Sequence, residues 1–381
     1  MKRVILLGSS GSIGRSACKV ARELPERMKI VGLAVSRSVP VMLAQAREFG
    51  VKSLAVFDEQ AAADAGRELP ADSRLCKGAA GLVELVRETE ADLVLVAIVG
   101  TAGLAPALAA LSAGKDLAVA SKEILVMAGE AVMKTAADRQ RKILPVDSEH
   151  NAIFQCLQNA ADREVRRLIL TASGGPFRQT PKEQLATVSV EQALKHPTWN
   201  MGTKITIDSA TLFNKGLEMI EARWLFNVEM ARIDVIIHPQ SIVHSMVEFV
   251  DHSVLAQLSH SDMCFPIQYA VTYPDRLPNN LGSLDFAKLG QLIFEAPDLQ
   301  RFPALTLARH AGTVGGTMPA VFNAANEVAV ARFLERRGTF PQIWESVEKV
   351  MAQHNSVPSA DLDTILAADA WARRACEELH W

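Results

Sequence analysis

Residues 2–14 read KRVILLGSSGSIG, and this stretch decides the fold of the N-terminal part of the chain. Its apolar run is typical of a buried strand. The periodicity of a helix then begins within the glycine segment and continues past it, in SIGRSACKVARELPE. Glycines between a strand and a helix let the backbone approach a pyrophosphate, and the helix start offers N–H groups to that anion. The spacing is G-x-x-G-x-x-G, so a glycine turn that only packs the helix on the sheet is the alternative.

Further apolar runs alternate with helical patterns after this stretch. They are MKIVGLAVS, SLAVF, LVLVAIV, DLAVAS and ILPVD. Continuous Val, Ile and Leu runs joined by crossover helices indicate a parallel sheet covered on both faces. We therefore predict an α/β fold that begins with a doubly wound, Rossmann-type, nucleotide-binding domain at residues 1–146.

The pattern changes after the predicted helix EHNAIFQCLQ. Strand-like segments then lie closer together, namely RRLILTAS, KITIDSA, RIDVIIHP, IVHSMVEFV and SVLAQL. They predict a mixed sheet in a second, α+β domain at residues 147–273. The stretch YPDRLPNNLGSLDFAKLG is rich in Pro, Gly and Asn, which predicts a linker at residues 274–300. Helical periodicity from there on predicts a C-terminal helical bundle domain at residues 301–381.

The composition excludes several functional classes. The 381 residues carry a net charge of −3 without a block of like charge, so we expect no nucleic-acid partner and no membrane-surface partner. Residues 93–114 are long and apolar, but their glycines and Pro106 predict a strand, a turn and a helix rather than a membrane span. The five cysteines are scattered and odd in number, which indicates free thiols in a reducing compartment.

The segment after the second predicted strand indicates which nicotinamide cofactor the chain binds. An NAD site would carry an acidic residue there to hold the ribose hydroxyls, but this chain has Ser36, Arg37 and Ser38. Arg37 can pair with a 2′-phosphate, and the serines can donate hydrogen bonds to it. A solvated surface arginine is the alternative, and the missing acid favours NADPH over NADH.

Two carboxylates at the end of the predicted strand ILPVD indicate a metal site. Asp147 and Glu149 flank Ser148, and residues i and i+2 of a strand project to the same side. Neighbouring carboxylates repel each other unless a cation lies between them, and oxygen ligands suit Mg²⁺ or Mn²⁺. An exposed strand end is the alternative for this D-x-E pattern.

A second segment, SATLFNKGLEMIEA, strengthens the metal hypothesis. Asn214 and Glu218 are four residues apart on a predicted helix, and Lys215 is three residues from Glu218. In this prediction Ser209 lies between the end of a strand and the start of the helix that carries Asn214 and Lys215. These three side chains could therefore bind a phosphate. Glu218 could reach the cation, whereas a surface ion pair between Lys215 and Glu218 is the alternative.

Two loops have the composition of substrate-binding segments. Residues 171–176, TASGGP, follow an apolar strand and present a backbone with small side chains to an anion. Residues 196–202, HPTWNMG, place Trp199 and Met201 between proline and glycine, as in a lid that excludes water. Packing between domains is the alternative for this second loop.

Several longer motifs resemble the 1-deoxy-D-xylulose 5-phosphate reductoisomerase family. They are GSSGSIG, ASKEIL, PVDSEHNAIFQ, LTASGGPFR, HPTWNMGTKITIDSATLFNKGLEMIEA, IIHPQSIVHSMVEF and NAANEVAVA. The resemblance covers nearly the whole chain. It implies an enzyme of the non-mevalonate isoprenoid pathway that uses NADPH and a divalent metal (Mg²⁺, Mn²⁺ or Co²⁺).

The resemblance also implies a reaction. 1-Deoxy-D-xylulose 5-phosphate would rearrange by a retroaldol/aldol path, and reduction of the resulting aldehyde would give 2-C-methyl-D-erythritol 4-phosphate. The implied assembly is a homodimer that acts on this small phosphorylated sugar, and residues 147–273 would be its catalytic and dimerisation domain. Because the first predicted strand begins the chain and leaves no room for a transit peptide, we expect a cytoplasmic enzyme.

The resemblance further assigns roles to individual residues. The implied metal ligands are Asp147, Glu149 and Glu218. The implied contacts of the carbonyl and hydroxyl end of the substrate are Lys122, Ser148 and Glu149. The implied contacts of its phosphate end are Ser173, His196, Ser209, Asn214 and Lys215, and the implied flap carries Trp199 and Met201. The implied nucleotide contacts are Ser10, Gly11, Ser12, Ile13, Ser36, Arg37, Ser38, Ser121, Glu123 and Gly202.

The chain departs from the family's usual pattern in four places. Ser10 replaces a common threonine, Ser121 replaces a common asparagine, residues 36–38 stand where Gly-Lys-Asn is frequent, and residues 252–264 differ in polarity. No departure removes an implied metal or phosphate ligand. Two other hypotheses stay open. One is another NADP-dependent Rossmann dehydrogenase, of the homoserine or inositol type, and the other is a non-enzymatic NADPH-sensing protein.

Overall fold

The structure, a computed structural model, describes residues 1–65, 69–158, 160–199 and 201–380. Its strands form two sheets. The strands of the first sheet are β1 (Lys2–Leu7), β2 (Met28–Val35), β3 (Ser53–Val56), β4 (Arg74–Lys77), β5 (Leu93–Val96), β6 (Asp116–Val119) and β7 (Ile143–Pro145). The strands of the second sheet are β8 (Val165–Ala172), β9 (Ile233–Ile237), β10 (Val243–Phe249) and β11 (Val254–Leu258).

Helices connect these strands and form the C-terminal part of the chain. Those before β8 are α1 (Ser12–Glu23), α2 (Val39–Phe49), α3 (Glu59–Ala65), α4 (Gly78–Glu88), α5 (Leu104–Ser112), α6 (Glu123–Asp138) and α7 (Ser148–Cys156). The later ones are α8 (Val190–Ala193), α9 (Thr203–Thr211), α10 (Phe213–Phe226), α11 (Cys264–Thr272), α12 (Phe286–Leu289), α13 (Ala304–Val314), α14 (Met318–Leu334), α15 (Gln342–Gln353) and α16 (Leu362–Glu377). Within the described ranges, no helix combines the length and the apolar character that crossing a membrane requires.

The first sheet is parallel throughout, in the order β4-β3-β2-β1-β5-β6-β7. β5 is buried along its whole length, as expected for a strand whose two faces are both covered by helices. The strand order reverses between β1 and β5, and α/β sheets bind ligands at such a point, beyond the carboxyl ends of the strands. The predicted doubly wound fold is confirmed, and the glycine turn follows β1 at this point.

Strand β4 has no counterpart in our sequence analysis. It reads RLCK, lies at the edge of the sheet, and carries Arg74 and Lys77 at its ends. Charged residues are common on edge strands because they discourage pairing with other chains. A four-residue strand of this kind therefore lacks the apolar run that identifies the central strands.

The segment KITIDSA, which we predicted as a strand, forms most of α9, and this prediction was wrong. The hydroxyl of Thr206 donates to the carbonyl of Gly202 at 2.8 Å, and that of Thr211 donates to the carbonyl of Ile207 at 2.9 Å. These bonds satisfy residues that otherwise favour strands. Ile207 and Ala210 are fully buried, so tertiary packing overrides the local β propensity.

The second sheet is mixed, in the order β11-β10-β8-β9, with β8 antiparallel to β10 and parallel to β9. Helices α8, α9, α10 and α13 to α16 share one apolar core with this sheet. Phe213 packs on Phe322 with ring centroids 5.3 Å apart, and Phe333 packs on Phe340 at 5.6 Å. The predicted mixed sheet and C-terminal helical region are confirmed.

The chain forms two compact units. The first consists of Met1–Ile124, Val132–Asn151 and Asp262–Gly282 and contains the parallel sheet. The second consists of Leu125–Ala131, Ala152–Ser261 and Ser283–Trp381 and contains the mixed sheet. The domain boundaries proposed from composition stay predictions.

Candidate functional site

The glycine turn after β1 brings backbone groups to the carboxyl edge of the parallel sheet. Gly8 has a φ of +90°, and a Cβ there would lie 2.3 Å from the carbonyl oxygen of Ala97. Gly14 is buried in the first turn of α1, and a Cβ there would lie 2.4 Å from the carbonyl oxygen of Gly8. Both positions therefore need glycine, and the turn leaves Gly11 and Ser12 exposed.

This turn fits the pyrophosphate of a nucleotide. Helix α1 begins at Ser12, so its first N–H groups have no partner within the helix. Ser9 is buried, and its hydroxyl oxygen has no hydrogen-bond partner in the described part of the chain. The positive end of a helix beside an unsatisfied hydroxyl suits a phosphate group. Four predicted nucleotide contacts lie here, namely Ser10, Gly11, Ser12 and Ile13.

The predicted 2′-phosphate segment, residues 36–38, lies between β2 and α2 and is exposed. Nε of Arg37 donates to Oδ2 of Asp58 at 2.6 Å, and the backbone N–H of Asp58 donates to the carbonyl of Ser36 at 3.1 Å. Asp58 was not among the residues predicted from the sequence. The signal for it is an acidic residue just after β3, the strand that neighbours β2 in the sheet.

Three other predicted nucleotide contacts lie in different parts of the chain. Ser121 and Glu123 flank Lys122 at the start of α6 and are buried in the first unit. The hydroxyl of Ser121 donates to the carbonyl of Ile98 at 2.5 Å. Gly202 is exposed in the second unit, just before α9, and a Cβ there would meet no atom within 4 Å. Local space therefore does not require glycine at that position.

The two carboxylates of the D-x-E pattern follow β7, but they do not share a strand as we predicted. β7 ends at Pro145 and α7 begins at Ser148, so Glu149 lies in the first turn of a helix. Nζ of Lys122 lies 2.6 Å from Oδ2 of Asp147, and both side chains are largely buried. The hydroxyl of Ser148 donates to Oε2 of Glu149 at 2.9 Å. The first unit therefore holds an ammonium group beside one of two neighbouring carboxylates.

Helix α10 carries the third predicted metal ligand. Glu218 is fully buried, accepts a hydrogen bond from Nδ2 of Asn214 at 2.5 Å, and pairs with the buried ammonium of Lys215. Ser209 lies in α9, and the chain turns into α10 through Leu212, whose φ is +64°. The predicted arrangement of a strand, a serine and a helix start was therefore wrong, because two helices meet here instead.

These carboxylates fit a hard divalent cation. Asp147 and Glu149 of the first unit and Glu218 of the second offer only oxygen donors, which Mg²⁺ and Mn²⁺ prefer. Lys122 pairs with the first of them and Lys215 with the third, which offsets part of their negative charge. The chemistry of these side chains is therefore compatible with the predicted metal ligation, which stays a prediction.

A hydrogen-bonded cluster in the second unit joins three of the predicted phosphate contacts. Nε2 of His196 lies 3.0 Å from the hydroxyl oxygens of both Ser173 and Ser209. The N–H of Gly175 donates to the hydroxyl oxygen of Ser173 at 3.2 Å. Gly174 and Gly175 have φ of +82° and +67°, so the loop after β8 needs glycine to turn here. The hydroxyl and imidazole groups of this cluster are neutral hydrogen-bond donors, and phosphate oxygens can accept from such donors.

The ring of His196 also contacts the predicted flap. Its Nδ1 accepts hydrogen bonds from the backbone N–H groups of Thr198 at 3.2 Å and Trp199 at 2.9 Å. Nδ1 therefore carries no proton, so the ring proton is on Nε2, which faces the serines. Burial lowers the pKa of His196 to about 4, and the ring is neutral at ordinary pH. One imidazole thus connects the serine cluster with the flap.

The predicted flap residues Trp199 and Met201 are half-buried. The ring of Trp199 lies edge-on to that of His244, with centroids 6.4 Å apart. His244 is buried, and burial lowers its pKa to about 4. Asn200, between the two flap residues, lies outside the described residues.

A buried polar pair that supports α9 was also missed by our sequence analysis. Nδ2 of Asn326 donates to Oδ1 of Asp208 at 2.8 Å, and Nζ of Lys204 lies 2.8 Å from Oδ2 of the same carboxylate. Asp208 directly precedes Ser209, so the pair holds the helix that carries this serine. A signal was present, because the motif NAANEVAVA puts Asn326 in an apolar helix, where a buried amide needs a partner.

Three family models match the chain. The model described as 1-deoxy-D-xylulose 5-phosphate reductoisomerase matches residues 4–129. The model described as the C-terminal domain of that enzyme matches residues 143–226. A further model, described as the DXP reductoisomerase C-terminal domain, matches residues 258–375. Together they span most of the chain.

Individual proteins are similar over nearly the same length. The chain is 52% identical to the 1-deoxy-D-xylulose 5-phosphate reductoisomerase of Anaeromyxobacter dehalogenans, with 99% of this chain and 97% of that protein covered. It is also 52% identical to the enzyme of the same name from Pelotomaculum thermopropionicum, with 98% and 97% covered.

Solved structures with bound ligands are similar as well. The reductoisomerase from Zymomonas mobilis in complex with NADPH has a TM-score of 0.92 at 42% identity, covering 99% of this chain and 100% of that one. A DOX-P reductoisomerase in complex with NADPH, fosmidomycin and magnesium also has a TM-score of 0.92, at 41% identity, covering 99% and 98%.

Proposed function

Because the chain belongs to the 1-deoxy-D-xylulose 5-phosphate reductoisomerase family, we propose that it converts 1-deoxy-D-xylulose 5-phosphate to 2-C-methyl-D-erythritol 4-phosphate. NADPH is the reductant, and a divalent cation is required. The observation that carries this proposal is the largely buried ion pair of Lys122 and Asp147, with Ser148 and Glu149 directly after it. This ion pair puts the ammonium group of Lys122 next to carboxylate oxygens that could bind a cation.

The reaction has two parts. In the retroaldol/aldol path, one carbon–carbon bond of the sugar breaks and a new one forms, which gives a branched aldehyde. A hydride from NADPH then reduces the aldehyde carbon, and a proton completes the new hydroxyl. When bound, a divalent cation polarises substrate oxygens and stabilises negative charge on them.

We propose that Asp147, Glu149 and Glu218 hold this cation, which is Mg²⁺, Mn²⁺ or Co²⁺. Lys122 and Ser148 lie close to two of these carboxylates in the first unit, at 2.6 Å from Asp147 and 2.9 Å from Glu149. They would donate hydrogen bonds to the carbonyl and hydroxyl end of the substrate. The Lys122 ammonium lies beside the carboxylate of Asp147, and its N–H groups could stabilise charge that develops on substrate oxygens.

The phosphate end of the substrate is proposed to bind to the second unit. The serine cluster supplies neutral donors, and α10 adds one amide and one ammonium group. The proposed contacts are Ser173, His196, Ser209, Asn214 and Lys215. Trp199 and Met201 are proposed to close over the bound substrate and exclude water, because both are large apolar side chains next to His196 in sequence.

The nucleotide is proposed to bind along the carboxyl edge of the parallel sheet. Support comes from the glycine turn, the unsatisfied hydroxyl of Ser9 and the exposed Arg37. The proposed contacts are Ser10, Gly11, Ser12, Ile13, Ser36, Arg37, Ser38, Ser121, Glu123 and Gly202.

An assay of the purified protein tests the function. NADPH oxidation, followed by absorbance, is expected only when both 1-deoxy-D-xylulose 5-phosphate and Mg²⁺ are present, and excess EDTA should stop it. Mass spectrometry should identify 2-C-methyl-D-erythritol 4-phosphate as the product. Oxidation that persists in EDTA would favour another Rossmann dehydrogenase, and NADPH binding without any oxidation would favour a sensor protein.

We further propose that the chain is a homodimer joined through the edge of the mixed sheet. β11 is the outer strand, and Val254 and Leu255 are 47% and 52% exposed although they point to opposite faces. An exposed apolar edge strand is a template for pairing with another chain. A cytoplasmic location is also proposed, because all five cysteines are free thiols.

Leu255→Lys is therefore expected to convert the dimer to monomers, since a buried lysine at the interface would be costly to desolvate. Light scattering coupled to gel filtration measures the mass directly. The matched control is Leu366→Lys, which introduces the same charge at a position on α16 that is 40% exposed. A wild-type protein that elutes as a monomer, or a Leu255→Lys variant that stays dimeric, would rule out this interface.

A further inference from the structure

We propose that Asp58 determines specificity for NADPH over NADH by holding Arg37, so that the terminal nitrogens of the guanidinium are presented to the 2′-phosphate. Asp58 is thus a positioning residue, which acts through Arg37 and does not itself contact the nucleotide. This inference rests on the proposed NADPH site.

Asp58 is held by three separate hydrogen bonds, two to its carboxylate and one from its backbone N–H. Oδ1 accepts from the backbone N–H of Ala61 at 2.9 Å, which caps the start of α3. The backbone N–H of Asp58 donates to the carbonyl of Ser36 at 3.1 Å, which ties the end of β3 to the segment after β2. Oδ2 then accepts from Nε of Arg37 at 2.6 Å. The bonds from Ala61 and Arg37 lower the pKa of Asp58, so it stays ionised at neutral pH.

Arg37 would be poorly ordered without this contact. Its side chain is 80% exposed, and a free arginine loses much rotamer freedom when a ligand immobilises it. Asp58 occupies only Nε, and neither terminal nitrogen of Arg37 donates a hydrogen bond within the described ranges. Those two nitrogens form an edge of the guanidinium plane that can bind a phosphate in a bidentate way.

The position of the acid distinguishes this arrangement from an NAD site. In an NAD site the acid ends the second strand and binds the ribose hydroxyls directly. Here the acid follows β3, one strand further along the sheet, and would reach the ribose region only through Arg37. The same type of side chain would therefore favour the 2′-phosphate, which an acid at the end of β2 would repel.

Asp58 could influence NADPH binding in two ways, and removal of Asp58 would change the affinity in opposite directions for the two. A carboxylate near a phosphate repels it, so removing Asp58 would tighten NADPH binding if repulsion were its main effect. If Asp58 acts by ordering Arg37, its removal weakens NADPH binding. NADH, which has no 2′-phosphate, should be insensitive in either case.

Three variants separate these effects. Asp58→Ser keeps an oxygen that can cap α3 but is too short to reach Arg37. Asp58→Asn keeps the length of the side chain and one acceptor oxygen, which can accept from Ala61 or from Arg37 but not from both, and it loses the charge. Asp64→Ser, on the exposed side of α3, removes the same charge nearby without touching Arg37 and serves as the matched control.

The measurement is nucleotide binding in the absence of sugar substrate, from the fluorescence of NADPH and NADH on titration of the protein. Asp58→Ser is expected to weaken NADPH binding by about 5-fold, the upper end of what an exposed ion pair contributes. Asp58→Asn should weaken it less, and Asp64→Ser and all NADH affinities should stay unchanged. In an Arg37→Ala background, Asp58→Ser should have no further effect.

Each contrary result has a distinct meaning. Tighter or unchanged NADPH binding by a folded Asp58→Ser variant would overturn the positioning role, and so would a further loss in the Arg37→Ala background. Arg37→Ala should itself weaken NADPH binding by about 10-fold or more, as expected for a lost charge-assisted bidentate contact. If it does not, the proposed 2′-phosphate site is wrong as well. Melting temperatures of all variants confirm that they are folded.

Discussion

The substitution Glu218→Gln is expected to lower kcat/KM for 1-deoxy-D-xylulose 5-phosphate by about 1000-fold or more. The two side chains have nearly the same shape, so the packing around the fully buried Glu218 is kept. The amide lacks the negative charge with which Glu218 is proposed to bind the cation, and Lys215 loses the carboxylate with which it pairs. A bound cation supplies several kcal/mol of transition-state stabilisation, which corresponds to a rate loss of this size.

The measurements for this variant are steady-state NADPH oxidation over a range of Mg²⁺ concentrations and Mn²⁺ binding by electron paramagnetic resonance. Glu348→Gln, at an exposed position on α15, is the control for removing one charge from a helix. Circular dichroism should give the wild-type fold for both variants. Near-normal turnover by Glu218→Gln would contradict the metal assignment. If that variant does not fold, Glu218→Asp keeps the charge and should recover activity only at raised Mg²⁺.

The parts of the fold that follow from local patterns were predictable. The strands β1 and β5 are short apolar runs because helices cover both faces of their sheet, and such runs stand out in any sequence. KITIDSA shows the limit of this reasoning. Its alternation is that of a strand, and only the burial of Ile207 and Ala210, together with the hydroxyl bond of Thr206 within the helix, makes it helical. Those contacts depend on the rest of the fold.

The candidate site was predictable where its chemistry lies in short motifs. The i,i+4 contact of Asn214 with Glu218 is set by helix geometry, so spacing alone predicts it. Asp58 and Asp208 were missed because their partners are distant in sequence. Arg37 is 21 positions from the first, and Asn326 is 118 positions from the second. Such pairs depend on strand order and helix packing, which no local pattern encodes.

Two substitutions of His196 are expected to separate phosphate binding from anchoring of the flap. His196→Asn puts an amide oxygen near the position of Nδ1, so it can still accept from Thr198 and Trp199, but it loses the donor that faces Ser173 and Ser209. We expect it chiefly to raise KM for the sugar phosphate. His196→Gln keeps a donor near the position of Nε2 and loses the acceptor, so we expect it chiefly to lower kcat. Each change should lower kcat/KM by about 100-fold, because each breaks two hydrogen bonds.

The charge of the His196 ring gives a second, independent readout. Its pKa is about 4 because burial disfavours the imidazolium, so the ring stays neutral between about pH 6 and 8. Neither variant should therefore change the shape of the pH–rate profile in that range, and His310→Asn, at an exposed position on α13, should change nothing. If both variants lost a pKa near neutrality from the pH–rate profile, the ring would become protonated when substrate binds. If the two variants changed KM and kcat to the same extent, the two nitrogens of the His196 ring would not act separately. The neutral ring matters because Nδ1 can hold the flap only while it carries no proton.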